Sequence, residues 1–573
     1  MSSVVYLAPR RGGARIVALS LILATALALV GASTLFVGTA HAFTNGFVAA
    51  PANTSILMQK YNTARTGWNA NETHLTTASV NSTNFGRLTS YPVDGQVYAQ
   101  PLFVPNVVTP AGPYNLVFVA TEHDSVYAFD ADHQSATPIW HTSFAGPNIS
   151  SVPYQQIYSG GFHDIQPEIG ITGTPVIDAA TGTLYVVALT VDNGTIVSHL
   201  HALSIATGQE KIAPMLITAS VAGTGDGNVN GTITFNPKTQ NQRMGLLLLN
   251  NIIYIGFASF ADEYPYHGWV LTYDAQTLQP KATLNITPDS SGAGIWDDGN
   301  SFVVDPQDGG IYVATGNSGE GPHSDNGNTV LKLNPVTLEV EDYFTPFNTE
   351  CLNDLDRDLG SGGVILLPTQ NGPHPYELLA GGKEGRIYLL DRTNLGKFTA
   401  VSDPCGPVES QTNIDKVVQE LPVGVVGSGI YSTPAFWQGP TSSYVYEASN
   451  GDFLKAFRLT DGQLSTTPTS QTPETFNYPG GNAVVSSNGS TANTGIVWII
   501  SPPGSCPVND HCNPSGSGAL RAYDATDLSN ELYSSTQIAD RDGLASFVKF
   551  SVPAIANGEV FVGTGNSLDI FGL

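Results

Sequence analysis

The stretch GGKEGRIYLLDR, residues 381–392, decides how the rest of the chain is read. Small residues open it, Lys383, Glu384 and Gly385 make a turn, and Ile387, Tyr388, Leu389 and Leu390 form an apolar run that ends in Asp391. That pattern is a β-hairpin whose second strand is apolar on both faces. One hairpin cannot bury such a strand, so copies of the unit must flank it.

Seven further copies are present. They are NLVFVATEHDSVYAFDA ending at Ala131, TLYVVALTVDNGTIVSHLHALS ending at Ser204, and IIYIGFASFADEYPYHGWVLTYDA ending at Ala275. GIYVATGNSGEGPHSDNGNTVLKLN ends at Asn334, SYVYEASNGDFLKAFRLTDG at Gly462, GIVWIISPPG with GALRAYDA at Ala525, and GEVFVGTGNSLDIFGL at Leu573. Between them lie strand-like pieces with a small-residue or Pro signal: AQPLFV from Ala99, TGTPVID from Thr172, GSGGVILL from Gly360, YSTPAFW from Tyr431 and SVPAIA from Ser551. Each repeat then offers about four strands, and four-stranded sheets repeated radially make a β-propeller.

The expected fold is therefore all-β, a single eight-bladed β-propeller over residues 43–573. The last unit stops with its inner strands only, so an N-terminal strand must latch the ring, and SILMQKYN, residues 55–62, is the expected donor. An open solenoid would need polar caps at both ends, and the apolar finish IFGL argues against one. Residues 63–84 then read as a polar connection into the first blade. Long insertions at 141–170, 223–242, 342–360 and 403–427 fall between hairpins, where propellers mount binding groups.

Charged residues make up 12% of the 573, and the polar load falls instead on Gly, Ser, Thr and Asn, as a turn-rich β protein requires. The net charge of -26 and the absence of a basic stripe argue against a nucleic-acid partner. Arg10, Arg11 and Arg15 precede an apolar run and then Ala40-His41-Ala42, the three parts of a secretory signal over residues 1–42. The apolar run is long for a signal, which leaves an uncleaved anchor as the alternative; no second apolar span follows, so the mature chain is expected to be secreted or periplasmic with no membrane span. In an exported chain the four Cys should be oxidised, either as a local Cys506–Cys512 bridge and a Cys351–Cys405 bridge around the 381–392 unit, or in one of the two other pairings.

The repeats, with their YxxDxxT finish and the KxGxxYxLDR version, resemble those of the eight-bladed quinoprotein alcohol dehydrogenases and other pyrroloquinoline-quinone repeat propellers, over essentially the whole mature chain. ADEYPYHGWVLTYDA is similar to the segment whose Glu binds calcium, which would be Glu263. GAGIWDDGNSFVVDPQDGGIYVATGN looks like the segment with a floor Trp and a calcium-binding Asn, here Trp296 and Asn317. NDLDRDLG resembles the motif whose central Asp is the base, here Asp356, also a metal ligand, and KEGRIYLLDR resembles the one whose cation touches the quinone, here Lys383. All five occur in family order.

The resemblance implies pyrroloquinoline quinone and calcium as cofactors, a small alcohol or sugar as substrate, and an external electron acceptor. The residue types agree: carboxylate and amide oxygens suit a hard dication, an indole suits a flat quinone, and an ammonium suits a developing oxyanion. The chain departs from the family in lacking an adjacent Cys pair, in carrying Leu355 where the motif has Trp, in lacking Pro-Trp after Asn317, and in having no haem motif. These departures keep a second reading open, a cofactor-free propeller that binds a protein or glycan.

Overall fold

The computed structural model describes residues 54–159, 163–319, 325–407, 414–504 and 516–573. The expected signal over 1–42 and the Cys506–Cys512 pair lie outside them. Each of the eight hairpins forms where the repeats place it, and each belongs to its own sheet. In the fifth blade Glu377–Gly381 pairs with Ile387–Asp391 across the turn, with Ile365–Leu366 inside and Gln419–Leu421 outside. Gly385 makes that turn with φ +81°, and a Cβ on Gly382 would stand 2.3 Å from the Asp358 carbonyl oxygen, which is why the unit opens on small residues.

The Asp that closes the repeat ends its strand by capping the next turn. Asp274 accepts the N–H groups of Gln276 and Thr277, Asp391 that of Thr393, and Asp524 that of Thr526. The residue after the Asp is left with a carbonyl facing the preceding blade, where a buried Tyr uses it. Tyr185 donates to Ala275 at 2.8 Å, Tyr312 to Arg392 at 3.3 Å and Tyr446 to Ala525 at 2.5 Å. The repeat motif thus encodes the docking of one blade on the next. Apolar clusters fill the spaces between neighbours, such as Ile253, Phe257 and Trp269 against Tyr185 and Leu200.

Closure is by an N-terminal strand, but Gly86–Pro92 supplies it rather than residues 55–62. Gly86–Pro92 runs antiparallel to Ser567–Gly572 as the outer strand of the eighth sheet, from Gly86 opposite Gly572 to Pro92 opposite Ser567. Residues 55–62 belong instead to a belt that continues through Asn69 and visits the first strand of the blades in turn. Ile56 bonds Phe103, the Leu57 carbonyl accepts from Ile177, Thr63 from Val304, Ala64 from Leu366, Thr66 from Phe436 and Gly67 from Val485. Asn69 reaches the eighth blade by donating its side-chain amide to the Ile555 carbonyl at 2.9 Å.

Two cations of this belt are fully buried. The Lys60 ammonium donates to the carbonyls of Thr433 at 2.9 Å and Ala483 at 2.7 Å, and the Arg65 guanidinium donates to Gln59, Phe302 and Ser301. Residues 63–84 are therefore not merely a connection, since Trp68–Asn69 also adds a parallel inner strand to the seventh sheet beside Val484–Ser486. Cys351 and Cys405 form a disulfide with Cα atoms 5.6 Å apart, tying the short helix Thr349–Asp354 to the loop after Lys397–Phe398.

Candidate functional site

A cavity of about 190 Å³ lies where the connections entering the first strand of each blade meet the turns of the hairpins. All eight blades line it. Tyr98 comes from before the first sheet, Asp164 and Ile165 from the second, Arg243 from the third, and Trp296 with Asp298 from the fourth. Asp356, Asp358 and Lys383 come from the fifth, Tyr431 from the sixth, Tyr478 from the seventh, and Lys549 with Phe550 from the eighth.

Of the five residues named from the sequence, Trp296, Asp356 and Lys383 line this cavity. Asn317 stands one bond away, donating its side-chain amide to Asp356 at 2.9 Å. Glu263 faces elsewhere: its carboxylate accepts the Ser159 N–H at 2.6 Å and the Ser159 hydroxyl at 2.7 Å, while its neighbour Asp262 lines the cavity.

The Lys383 ammonium lies 2.9 Å from Asp356 and 2.6 Å from Asp358. Asp356 is the open member of the pair, its side chain 55% exposed, on a left-handed φ of +52° just past the helix Thr349–Asp354. Asp358 is buried and also accepts the Asn317 N–H at 2.6 Å. Burial pushes its carboxyl up, but the Lys383 charge and these hydrogen bonds outweigh burial and hold it below the usual range. For Lys383 burial acts to release the proton, and the two carboxylates more than reverse that, raising its pKa. An amide network holds the loop in place, with Asn328 donating to Asn317 and Asn353, and Leu359 donating its N–H to Asn328.

The rest of the cavity mixes aromatic and cationic side chains with the carboxyls of Asp164, Asp262 and Asp298. Tyr431 and Tyr478 meet edge to face at 5.3 Å, and Phe550 lies 6.3 Å from Tyr478. The Arg243 guanidinium rests over Phe550 at 5.0 Å and Tyr98 at 5.7 Å, and Lys549 pairs with Asp164. Trp296 is only partly covered, with Gly294 close beneath its indole nitrogen.

Sequence reading missed Tyr98, Tyr431, Lys549 and Phe550, although each stands within three residues of a small-residue or Pro signal that opens a blade. It also left Arg243 unassigned, which no motif marks, and Asp298, which lies inside the quoted segment two residues past Trp296.

The aromatic faces and the Arg243 guanidinium suit a flat, oxygen-rich ring system such as pyrroloquinoline quinone, while Lys383 and Lys549 already stand against Asp356, Asp358 and Asp164. A calcium ion does not fit the named set with these contacts in place. Glu263 is engaged by Ser159, the Asn317 side-chain oxygen accepts from Asn328, and an ammonium stands between Asp356 and Asp358. Among the described residues no group of three or more acidic, His or Cys side chains is spaced to hold a metal.

The chain folds as an eight-bladed β-propeller, and solved quinoprotein dehydrogenases are similar to it in fold. The quinohemoprotein alcohol dehydrogenase from Comamonas testosteroni matches at 15% identity and a TM-score of 0.60, over 92% of this chain and 81% of that one. A quinohemoprotein alcohol dehydrogenase from Pseudomonas putida HK5 matches at 13% identity and 0.58, over 91% and 80%. A europium-containing methanol dehydrogenase matches at 14% identity and 0.54, over 91% and 98%. At such identities the likeness is one of fold. No protein-family model and no curated protein matches the sequence.

Proposed function

We propose that this chain is an exported quinone-dependent dehydrogenase of a small alcohol or sugar, with Asp356 as base and Lys383 as its charge partner. The observation that carries the reading is the convergence of Asp356, Lys383 and Trp296 on one axial cavity. The secretory pattern in residues 1–42 supports export. Among the described residues no helix is long and apolar enough to cross a membrane.

Trp296 offers a face on which a ring system stacks, and Arg243 offers charge to its carboxylates. When bound, pyrroloquinoline quinone supplies the two-electron acceptor for a hydride from the substrate carbon. Asp356, exposed at the cavity mouth, takes the substrate hydroxyl proton. Lys383 steadies the ionised carboxylates before the reaction and compensates negative charge developing on the ligand during it. No step runs through a metal ion. Glu263, Asn317 and Asp356 would become a calcium set only if Ser159 and Lys383 released their carboxylates.

The test is reconstitution. The purified protein, given pyrroloquinoline quinone with and without calcium, should quench its tryptophan fluorescence and reduce an artificial dye with some alcohol or aldose. Asp356→Ala should bind the quinone and lose turnover by about a hundredfold or more. Absence of quinone binding under both conditions would move the conclusion to a cofactor-free binding propeller.

A further inference from the structure

Asp298 takes no part in the reading above, yet it lines the same cavity two positions after Trp296. It is 5% exposed, and neither of its carboxylate oxygens makes a hydrogen bond of regular geometry, with only the Asn482 amide approaching as a weak donor. Buried polar atoms are nearly always partnered, so two under-partnered oxygens on one side chain at a cavity wall mark capacity kept for something that enters. The backbone is arranged to the same end. Asp297 and Asp298 are consecutive non-glycine residues at φ +40° and +55°, a strained turn of the kind that collects at functional sites.

We propose that Asp298 is a second working carboxyl of the pit, an acid that donates a hydrogen bond to an oxygen of the ligand stacked on Trp296, opposite in role to Asp356. The identity of that ligand rests on the quinone reading; the acid does not. Burial is the largest influence on Asp298, and it outweighs Arg243, the Asn482 amide and Lys60, which favour the anion, with Glu447 acting alongside burial. Asp297, the remaining acid beside it, is likewise pushed up by burial. Burial thus favours the protonated form of Asp298 where Lys383 favours the ionised form of Asp358, and one cavity pushes two carboxyls in opposite directions. As pH rises and Asp298 ionises, a donor becomes an anion facing an anionic ligand, so affinity should fall.

Full-length wild type, Asp298→Asn and Asp298→Gly are the proteins to compare, since Asn and Gly both accept the left-handed backbone at this position. Each is titrated with pyrroloquinoline quinone by tryptophan quenching from about pH 6 to about pH 9, and the protonated-carboxyl infrared band of each unliganded protein is measured. Wild-type affinity should fall by about tenfold once Asp298 ionises, Asp298→Asn should show no such fall, and Asp298→Gly should bind about tenfold more weakly at the acid end. Both variants should lose one group's share of the infrared band. Wild-type binding by Asp298→Gly, or a wild-type pH slope in Asp298→Asn, overturns the proposal. If none of the proteins binds the quinone, the quinone reading fails by itself, and the infrared comparison still decides: loss of the band supports the acid, an unchanged band overturns it.

Discussion

The Lys383 ammonium stands 2.6 Å from Asp358, a carboxylate that burial alone would drive to accept a proton. Lys383→Met should leave that charge buried without its counter-ion and lower stability by about 3 kcal/mol, read from the urea midpoint. The pH dependence follows from the sign of the shift. Asp358 is depressed in the folded protein, so its contribution is present above its unfolded value of about 3.9 and is lost as pH falls through the folded one. The variant should lack that share of acid sensitivity, and equal midpoints in both proteins would count against this account.

Lys60 predicts the opposite slope. Burial lowers its pKa from 10.5 to about 8, so between those values the unfolded chain holds a proton that the folded one does not. Stability should therefore rise with pH across that window. Subtracting the profile of Lys60→Met from that of the wild type should isolate the rise, and superimposable profiles would refute it.

The latch strand depends on Tyr91, which is buried, stacks on Phe129 at 4.7 Å and donates to the Asp130 carbonyl at 3.2 Å. Tyr91→Ala should cost about 3 kcal/mol, whereas Val108→Ala, at a side chain 77% exposed, should cost almost nothing. A chemical-denaturation series on the two variants distinguishes them.

The Cys351–Cys405 bridge closes a 54-residue separation that contains Asp356 and Lys383. Replacing both with Ser should lower stability by about 2–4 kcal/mol. Because Cys351 lies in the helix that leads to Asp356, the pair of replacements should also weaken quinone binding, measured by fluorescence at a temperature where the variant is folded.

Much of this molecule is written locally. The hairpins were legible because they repeat and most carry apolar runs, as Ile387–Asp391 does, and the Asp that closes a repeat marks the strand end it caps. The latch was misplaced for a physical reason. Gly86–Pro92 is an outer strand with Leu88, Ser90 and Pro92 facing solvent, and with Arg87 and Thr89 half-buried its polar residues hide it among loop sequences. Residues 55–62 look like a strand because their side chains are largely covered, but their backbone bonds go to several blades rather than to one edge. In the site, Trp296, Asp356 and Lys383 were legible from motif order. Arg243, Asp298 and Lys549 were not, because a cavity that draws one or two side chains from each of many segments leaves no contiguous signature. Glu263 shows the limit of order alone, since its neighbour Asp262 is the residue turned inward.

A ribosome releases the belt and latch early and their partners late: Gly86 waits for Gly572, and Asn69 for Ile555. Local hairpins can form as they emerge, whereas the final union is a single step of very long sequence separation, the slowest kind to search for. During synthesis the early segment is an unpaired edge in need of shielding. Once it is seated, strain at any one sheet is shared by all, and the finished protein should melt as one body rather than as eight.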